Sequence, residues 1–486
     1  MWTRRRMLTT AVATAGLTAS AAGPARAAYG GRGGHGGHGG RVGHDRHGGR
    51  VGHGGHGGRD GRGGHDGRGG HGDVADALRA LPGLRLVEER PDAEPGYRHF
   101  VLGLRQPVDH TDPAAGTFEQ RLTLLHTALD APTVLFSTGY HAVLTPRRTE
   151  PAVLLGANQL QVEHRHFGTS VPAGRPDRTH LTIRQAADDH HRVVRLLRRL
   201  YPGAWLSTGA SKGGMATVYH RRFHPRDVDG TVVYSAPHNV DDRDDSAYLR
   251  FLETVGTAPA REAVKAAQRR MLLHRAELVA RYEDWAAATG DTFRLVGSAD
   301  RAFEVAVLRV LFMFWQRAAP ADLAAIPGPR ATAGELYAWL DSWAGLPLYA
   351  DTAARRYVPY WYQIGTQLGY GDIPTAHVAD LLRHPGSLTA RTFVPPEIPL
   401  AFDGAAMPDI DRWVRRHGSR LLFVYGDQDP SVAEFFRPGG ADSRVLWVPG
   451  GHHGVDLADL PAADRAWAEE ALLRWTGTRR LTRRRR

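Results

Sequence analysis

The sequence predicts an α/β fold, a mostly parallel sheet with helices on both faces and a large helical lid insertion before the last strands. Three observations carry this. Short apolar runs alternate with helix-like segments from about residue 97 to residue 234. A G-x-S-x-G turn, Gly209-Ala210-Ser211-Lys212-Gly213, joins one such run to a helix-like segment. Strand signals then vanish from about Val240 to Leu400 and resume at Leu421. Strands separated by helical segments at this spacing are joined by crossovers, which makes the sheet parallel and covers both its faces.

Each element follows from its pattern. Tyr97 to Leu104 and Phe118 to His126 alternate as antiparallel strands at a sheet edge do, and Thr133 to Thr138 and Leu160 to His166 read as further strands. Ile183 to Leu200 is an amphipathic helix, with Val193, Val194, Leu196, Leu197 and Leu200 on one side. Trp205 to Thr208 ends a buried strand, Met215 to Phe223 forms the helix after the turn, and Thr231 to Tyr234 is the next strand. The insertion contains long helical stretches such as Ala258 to Ala288, and Trp285, Trp315, Trp339, Trp343 and Trp361. Arg420 to Tyr425 and Arg444 to Val448 complete the sheet, and Ala463 to Trp475 the outer layer.

Domain boundaries follow the composition. Residues 1–27 combine a basic start, a mildly apolar stretch and the small-residue end Ala25-Arg26-Ala27, and Thr3-Arg4-Arg5-Arg6-Met7-Leu8 fits a twin-arginine export signal. Export to a secreted, soluble form is the expectation, with no stable membrane span. Residues 28–73 are a Gly/His/Arg tract with His35, His38, His44, His47, His53, His56, His65 and His71. It has too few apolar side chains to order a backbone and reads as a disordered spacer, with weak metal or envelope-polymer binding as a secondary expectation. Residues 74–240 hold the first part of the sheet domain, 241–400 the insertion, 401–478 the second part and 479–486 a basic tail. The chain has no cysteine, which excludes thiol nucleophiles and thiolate metal sites. The formal charge of +11 over 486 residues sits largely in the terminal segments, away from any nucleic-acid motif, so no nucleic-acid partner is expected.

The G-x-S-x-G turn places a serine hydroxyl above the sheet edge, and glycines flank it because a side chain at 209 or 213 would collide across the turn. A serine hydroxyl needs a histidine to take its proton and a carboxylate to orient that histidine. In this architecture the chain order is serine, acid, histidine, each at a strand end. Asp427 and Asp429 follow the strand at 421–425, and His452 and His453 follow the strand at 444–448. Asp429 is the expected acid because it lies farther out on the turn with Pro430 after it, while Asp427 suits tying down the loop. One of the two histidines is the base. The oxyanion donors are expected to be the N–H of Lys212 and a group at or near Tyr140. The site needs no cofactor and no metal.

Taken together, TGASKGGMATVYHRRFHPRDVDG, QVEHRHFGTSVP, QAADDHHRVV, VYGDQDP and VPGGHHG resemble the secreted Streptomyces prolyl tri/tetrapeptidyl aminopeptidases, and more distantly the lysosomal prolyl carboxypeptidases. The similarity spans roughly residues 95 to 475, including FMFWQ and YVPYWYQIGTQLGYGD in the insertion. The resemblance implies a serine exopeptidase that removes short peptides from a free N-terminus, preferring cleavage after proline. It carries the nucleophile to Ser211, the acid to Asp429 and the base to His453, which precedes Gly454. An apolar ring pocket is then expected from Phe312, Phe314, Trp315, Tyr360, Trp361 and Tyr362. The substrate ammonium is expected at Glu163, Glu304, Gln367 or Asp372. Two other readings remain. One is an esterase or lipase with the same three residues, and the other a non-enzymatic envelope or metal-binding protein acting through its histidine-rich tract.

Overall fold

The structure is a computed structural model, and it describes residues 73–174, 178–440 and 442–478. The export signal, nearly all of the Gly/His/Arg tract and the basic tail lie outside those residues.

Nine strands form one sheet: β1 (Leu84–Arg90), β2 (Arg98–Pro107), β3 (Thr117–His126), β4 (Thr133–Ser137), β5 (Asn158–Val162), β6 (Trp205–Ala210), β7 (Gly230–Tyr234), β8 (Leu421–Gly426) and β9 (Arg444–Val448). Their order across the sheet is β1-β2-β3-β5-β4-β6-β7-β8-β9. β1, β2, β3 and β5 are joined by antiparallel pairings, and every pairing from β5 through β4 to β9 is parallel. This is the α/β-hydrolase fold.

Period-two alternation explains why both faces are covered. Leu421, Phe423 and Tyr425 of β8 pack with Met215, Val218 and the helical insertion. Leu422 and Val424 point the other way, into a layer with Ala152, Leu155, Ala468, Leu472 and Trp475. A strand buried on both faces reads as an unbroken apolar run, as LLFVYG does.

Several boundaries differ from the sequence reading. The antiparallel pair β2–β3 is present, but β1 lies outside it at the edge. Its pattern, LRLVEER, is mostly solvent-facing and carries little apolar signal. The strand expected from Leu160 to His166 ends at Val162, because Glu163 turns its carboxylate onto the loop that follows. The first long helix stops at Leu197. The stretch from Ala258 to Ala288 is two helices, Ala258–Leu273 and Arg275–Thr289, broken at His274.

Between β7 and β8 the described residues form helices and loops, with no strand of the sheet. Helix Ala299–Trp315 runs through the middle of this insertion and is buried on all sides from Ala302 onward. A helix apolar all round is a core helix, and Glu304 and Arg309 are the charged exceptions within its buried stretch.

Candidate active site

Ser211 sits between the last residue of β6 and helix Lys212–Phe223, at φ 53° and ψ −128°. That backbone geometry costs a residue with a side chain on the order of 1–3 kcal/mol, and it persists where the surroundings enforce it. Here they do. The Ser211 N–H donates to the Tyr234 carbonyl of β7 at 2.8 Å, and the Ser211 carbonyl accepts from Met215 at 3.0 Å. A Cβ on Gly209 would lie 2.4 Å from Gly213, and one on Gly213 would lie 2.3 Å from the Ser137 carbonyl oxygen. The glycines therefore let the turn close onto the neighbouring strand.

The residues after β8 and β9 converge. Asp429 is fully buried; its Oδ1 accepts from the Ser431 N–H at 2.9 Å and its Oδ2 from His453 Nδ1 at 2.7 Å. With an ionised carboxylate on Nδ1, neutral imidazole carries its proton there and leaves Nε2 as an acceptor. The His453 N–H donates to the Gln316 carbonyl at 3.0 Å, and the Gln316 side chain donates to Ser431 Oγ at 2.6 Å. The end of the core helix thus fixes both loops. Asp427 has a different part: its Oδ1 accepts from the Gly450 N–H at 2.8 Å and ties the β8 loop to the β9 loop. His452 is half-buried, its Nδ1 has no hydrogen-bond partner, and burial lowers its pKa. The geometry separates both pairs, joining Asp429 to His453.

Ser211 and His453 line one cleft of about 1170 Å³, part of it open to solvent. Its walls come largely from the insertion: Phe312, Tyr349, Tyr357, Tyr360, Trp361, Tyr370 and Phe393. Trp361 stacks on Phe393 at 4.3 Å between centroids, and Tyr140 lies 5.7 Å from Tyr360 and 6.0 Å from Tyr357. Of the six aromatics expected to form an apolar pocket, Phe312, Tyr360 and Trp361 line this cleft.

The two expected oxyanion residues also border the cleft. The Lys212 N–H belongs to the first turn of its helix, where N–H groups have no intrahelical acceptor. The Tyr140 N–H is bonded to Thr138 Oγ1 at 3.2 Å, and its phenol ring forms part of the cleft wall. The Lys212 side chain has a role the motif did not reveal. Its Nζ donates to the Gly139 carbonyl at 2.7 Å and lies over the rings of Tyr140 and Phe167. Burial pulls its pKa well below the ordinary lysine value.

The expected ammonium-binding residues are not in this cleft. Glu163 is fully buried, and its carboxylate accepts from the N–H groups of Ala142, Thr169 and Ser170 and from the Ser170 hydroxyl, shaping two loops. It does not pair with Arg165, which binds Asp189 at 2.7 and 2.8 Å. Glu304 is also fully buried, bound to Arg275 at 2.5 Å and to the N–H groups of Arg383 and His384 at 2.8 Å each. Gln367 accepts from the Ile183 N–H at 2.9 Å, at the start of a helix. Trp315 points into the core against Gly256, and Phe314 packs against Trp343. Neither they nor Tyr362 line the cleft. Asp372 borders an adjoining chamber with Asp242 and Asp245, which shares Trp361, Ile364, Tyr370 and Gly371 with the cleft.

Sequence reasoning missed Asn239, Tyr248, Gln316 and Ser431 as lining residues. Gln316 stood in the FMFWQ motif, which was the available signal. Asn239 had none, since only the return of the chain from β7 brings it there.

The sheet and the serine on its elbow, sharing a cleft with a buried histidine–carboxylate pair, define the molecule as a serine hydrolase of the α/β-hydrolase class. Within that class the chain belongs to the PS-10 peptidase S37 family, whose model matches residues 69–482, and it is a serine peptidase. It is 45% identical to the prolyl tri/tetrapeptidyl aminopeptidase of Streptomyces mobaraensis over 409 residues, 83% of this chain and 85% of that one. It is 30% identical to the lysosomal Pro-X carboxypeptidase of Bos taurus over 186 residues, 34% of this chain and 37% of that one. Among solved structures it is similar to a proline iminopeptidase from Mycobacterium smegmatis, with TM-score 0.36, 14% identity, and coverage of 77% of this chain and 98% of that one.

Proposed function

We propose that this peptidase is an exported exopeptidase that releases short N-terminal peptides, tri- or tetrapeptides, by cleavage after proline. The observation that carries the reading is the buried 2.7 Å contact between His453 and Asp429 in the cleft that Ser211 lines. In the proposed mechanism His453 Nε2 takes the Ser211 proton as Oγ attacks the carbonyl carbon. Asp429 holds the ring and stabilises the imidazolium. The Lys212 N–H faces the developing oxyanion. Collapse expels the amine of the downstream peptide, which takes the proton from His453. Water then releases the N-terminal fragment from the acyl-enzyme by the same proton path. The aromatic walls supply apolar surface against which a pyrrolidine ring can pack.

A serine hydrolase acting on esters is the second reading, and one observation favours it. Among the described residues lining the cleft there is no carboxylate to receive an ammonium group. The exopeptidase reading places that group in the adjoining chamber of Asp242, Asp245 and Asp372. Burial raises the pKa of Asp242 and Asp245 there.

Replacing Ser211 tests the mechanism. Ser211→Ala is expected to lower kcat on the order of 10⁴-fold to 10⁶-fold while the protein still binds peptide. Retained turnover would remove Ser211 from the reaction.

A further inference from the structure

Arg309 is a buried guanidinium in the wall of the cleft that holds Ser211. It rests on aromatic faces, 5.0 Å from the Trp361 ring centroid and 5.4 Å from that of Tyr370. Its Nε is buried without a hydrogen-bond partner, and the polar groups acting on it are tyrosines: Tyr370, Tyr349 and Tyr360. Among the described residues no carboxylate pairs with it, whereas the buried Arg165 and Arg275 each have one, and the buried Arg221, also without one, donates to the carbonyls of Val228 and Ser419. A charge withdrawn from water and left without a counter-ion is costly, and a planar guanidinium is built to take a carboxylate in two parallel hydrogen bonds. The second cation bordering the cleft does not compete, since Lys212 is engaged by the Gly139 carbonyl and burial favours its neutral form.

The position of Arg309 sets a distance. Arg309, Phe312, Met313 and Gln316 line the cleft from one face of the core helix, at the i, i+3, i+4, i+7 spacing, and the Gln316 carbonyl holds His453. Seven residues at a rise of about 1.5 Å put Arg309 about 10 Å along the helix from that end. An extended peptide covers about 10 Å in about three residues.

We propose that Arg309 is a specificity-determining residue that selects peptides with an acidic side chain about three residues upstream of the scissile bond. This rests on the exopeptidase reading for the direction of the chain, but binding tests it without turnover.

The probes are Ala-Xaa-Ala-Pro-Ala-amides with a free N-terminus and Xaa as Glu, Gln or Lys, amidated so that the side chain is the sole variable charge. Calorimetric titration into full-length Ser211→Ala protein is expected to show the Glu peptide binding about tenfold or more tighter than the Gln peptide, with Lys weakest. Adding Arg309→Met should bring the Glu/Gln ratio to near one, and Arg309→Lys should keep its sign with a smaller value. Equal binding of Glu and Gln peptides to the Ser211→Ala protein overturns the inference whatever the fate of the second substitution. So does a ratio that Arg309→Met leaves unchanged, or an equal loss for all three peptides, which would assign Arg309 to the peptide backbone. A Glu preference in a protein that hydrolyses none of these peptides would instead count against the exopeptidase reading and leave the inference standing.

Discussion

Ser211 holds a backbone angle that glycine adopts readily and serine does not, and the residues around it explain why it stays there. The strain is imposed by β6, β7 and the helix together, and in the proposed mechanism it presents the hydroxyl without a rearrangement at the moment of attack. The same reasoning separates neighbours in sequence. His453→Ala is expected to lose activity to the level of Ser211→Ala, because it alone of the two histidines contacts Asp429. His452→Ala should keep most of the rate, and steady-state kinetics on one peptide substrate distinguishes the two; the reverse order would reassign the base. Glu163 gives the opposite lesson. Its letters suggested a charge waiting for a substrate, yet its oxygens are occupied by loop donors. Glu163→Gln turns one oxygen into an amide facing an N–H group. The expected cost is about 1–3 kcal/mol of stability, read by denaturant unfolding. KM should change alike for free and N-acetylated peptides; a loss confined to free N-termini would restore Glu163 as the ammonium partner.

At the scale of elements, legibility tracked how local the cause was. β8 was readable because burial on both faces leaves an apolar run, and the elbow because its glycines answer a collision within one turn. β1 was not readable, since an edge strand needs little apolar surface. The run LQVEHRHF kept strand-like letters past Val162, while the true end of β5 is set by loops elsewhere in the chain. The same division holds in the site. The order of Ser211, Asp429 and His453 is written in strand ends. The choice between Asp427 and Asp429 rests on a group distant in sequence, the Gly450 N–H that occupies Asp427. The walls of the cleft depend on which face of the core helix turns inward. That phase separates Phe312 from Phe314 and Trp315, and composition alone does not fix it.

For the whole molecule, burial of histidine sets a pH limit distinct from catalysis. His190 is buried beside His220, and desolvation first, then the neighbouring ring, lowers its pKa from 6.5 to about 3. The unfolded chain takes up a proton near 6.5 that the folded state refuses until about 3. The stabilising contribution is therefore complete above 6.5 and is lost as pH falls through that window. The slope approaches about 1.4 kcal/mol per pH unit for one such group. His166, whose pKa burial also lowers to about 3, adds to it. His190→Leu should flatten the fall in Tm between pH 7 and pH 5; a fall as steep as in the unaltered protein would place the acid sensitivity elsewhere. At this scale too, no helix of the described residues is long and apolar enough to cross a membrane.

Initial rates of hydrolysis test the direction in which a peptide lies in the cleft. Initial rates are compared for an Ala-Ala-Pro anilide with a free N-terminus, its N-acetylated form, and a short-chain nitrophenyl ester. The free amine is expected to be cleaved with a kcat/KM well above both others, and Ser211→Ala is expected to abolish that cleavage. Equal rates for the free and acetylated peptides, or a preference for the ester, would contradict the exopeptidase reading.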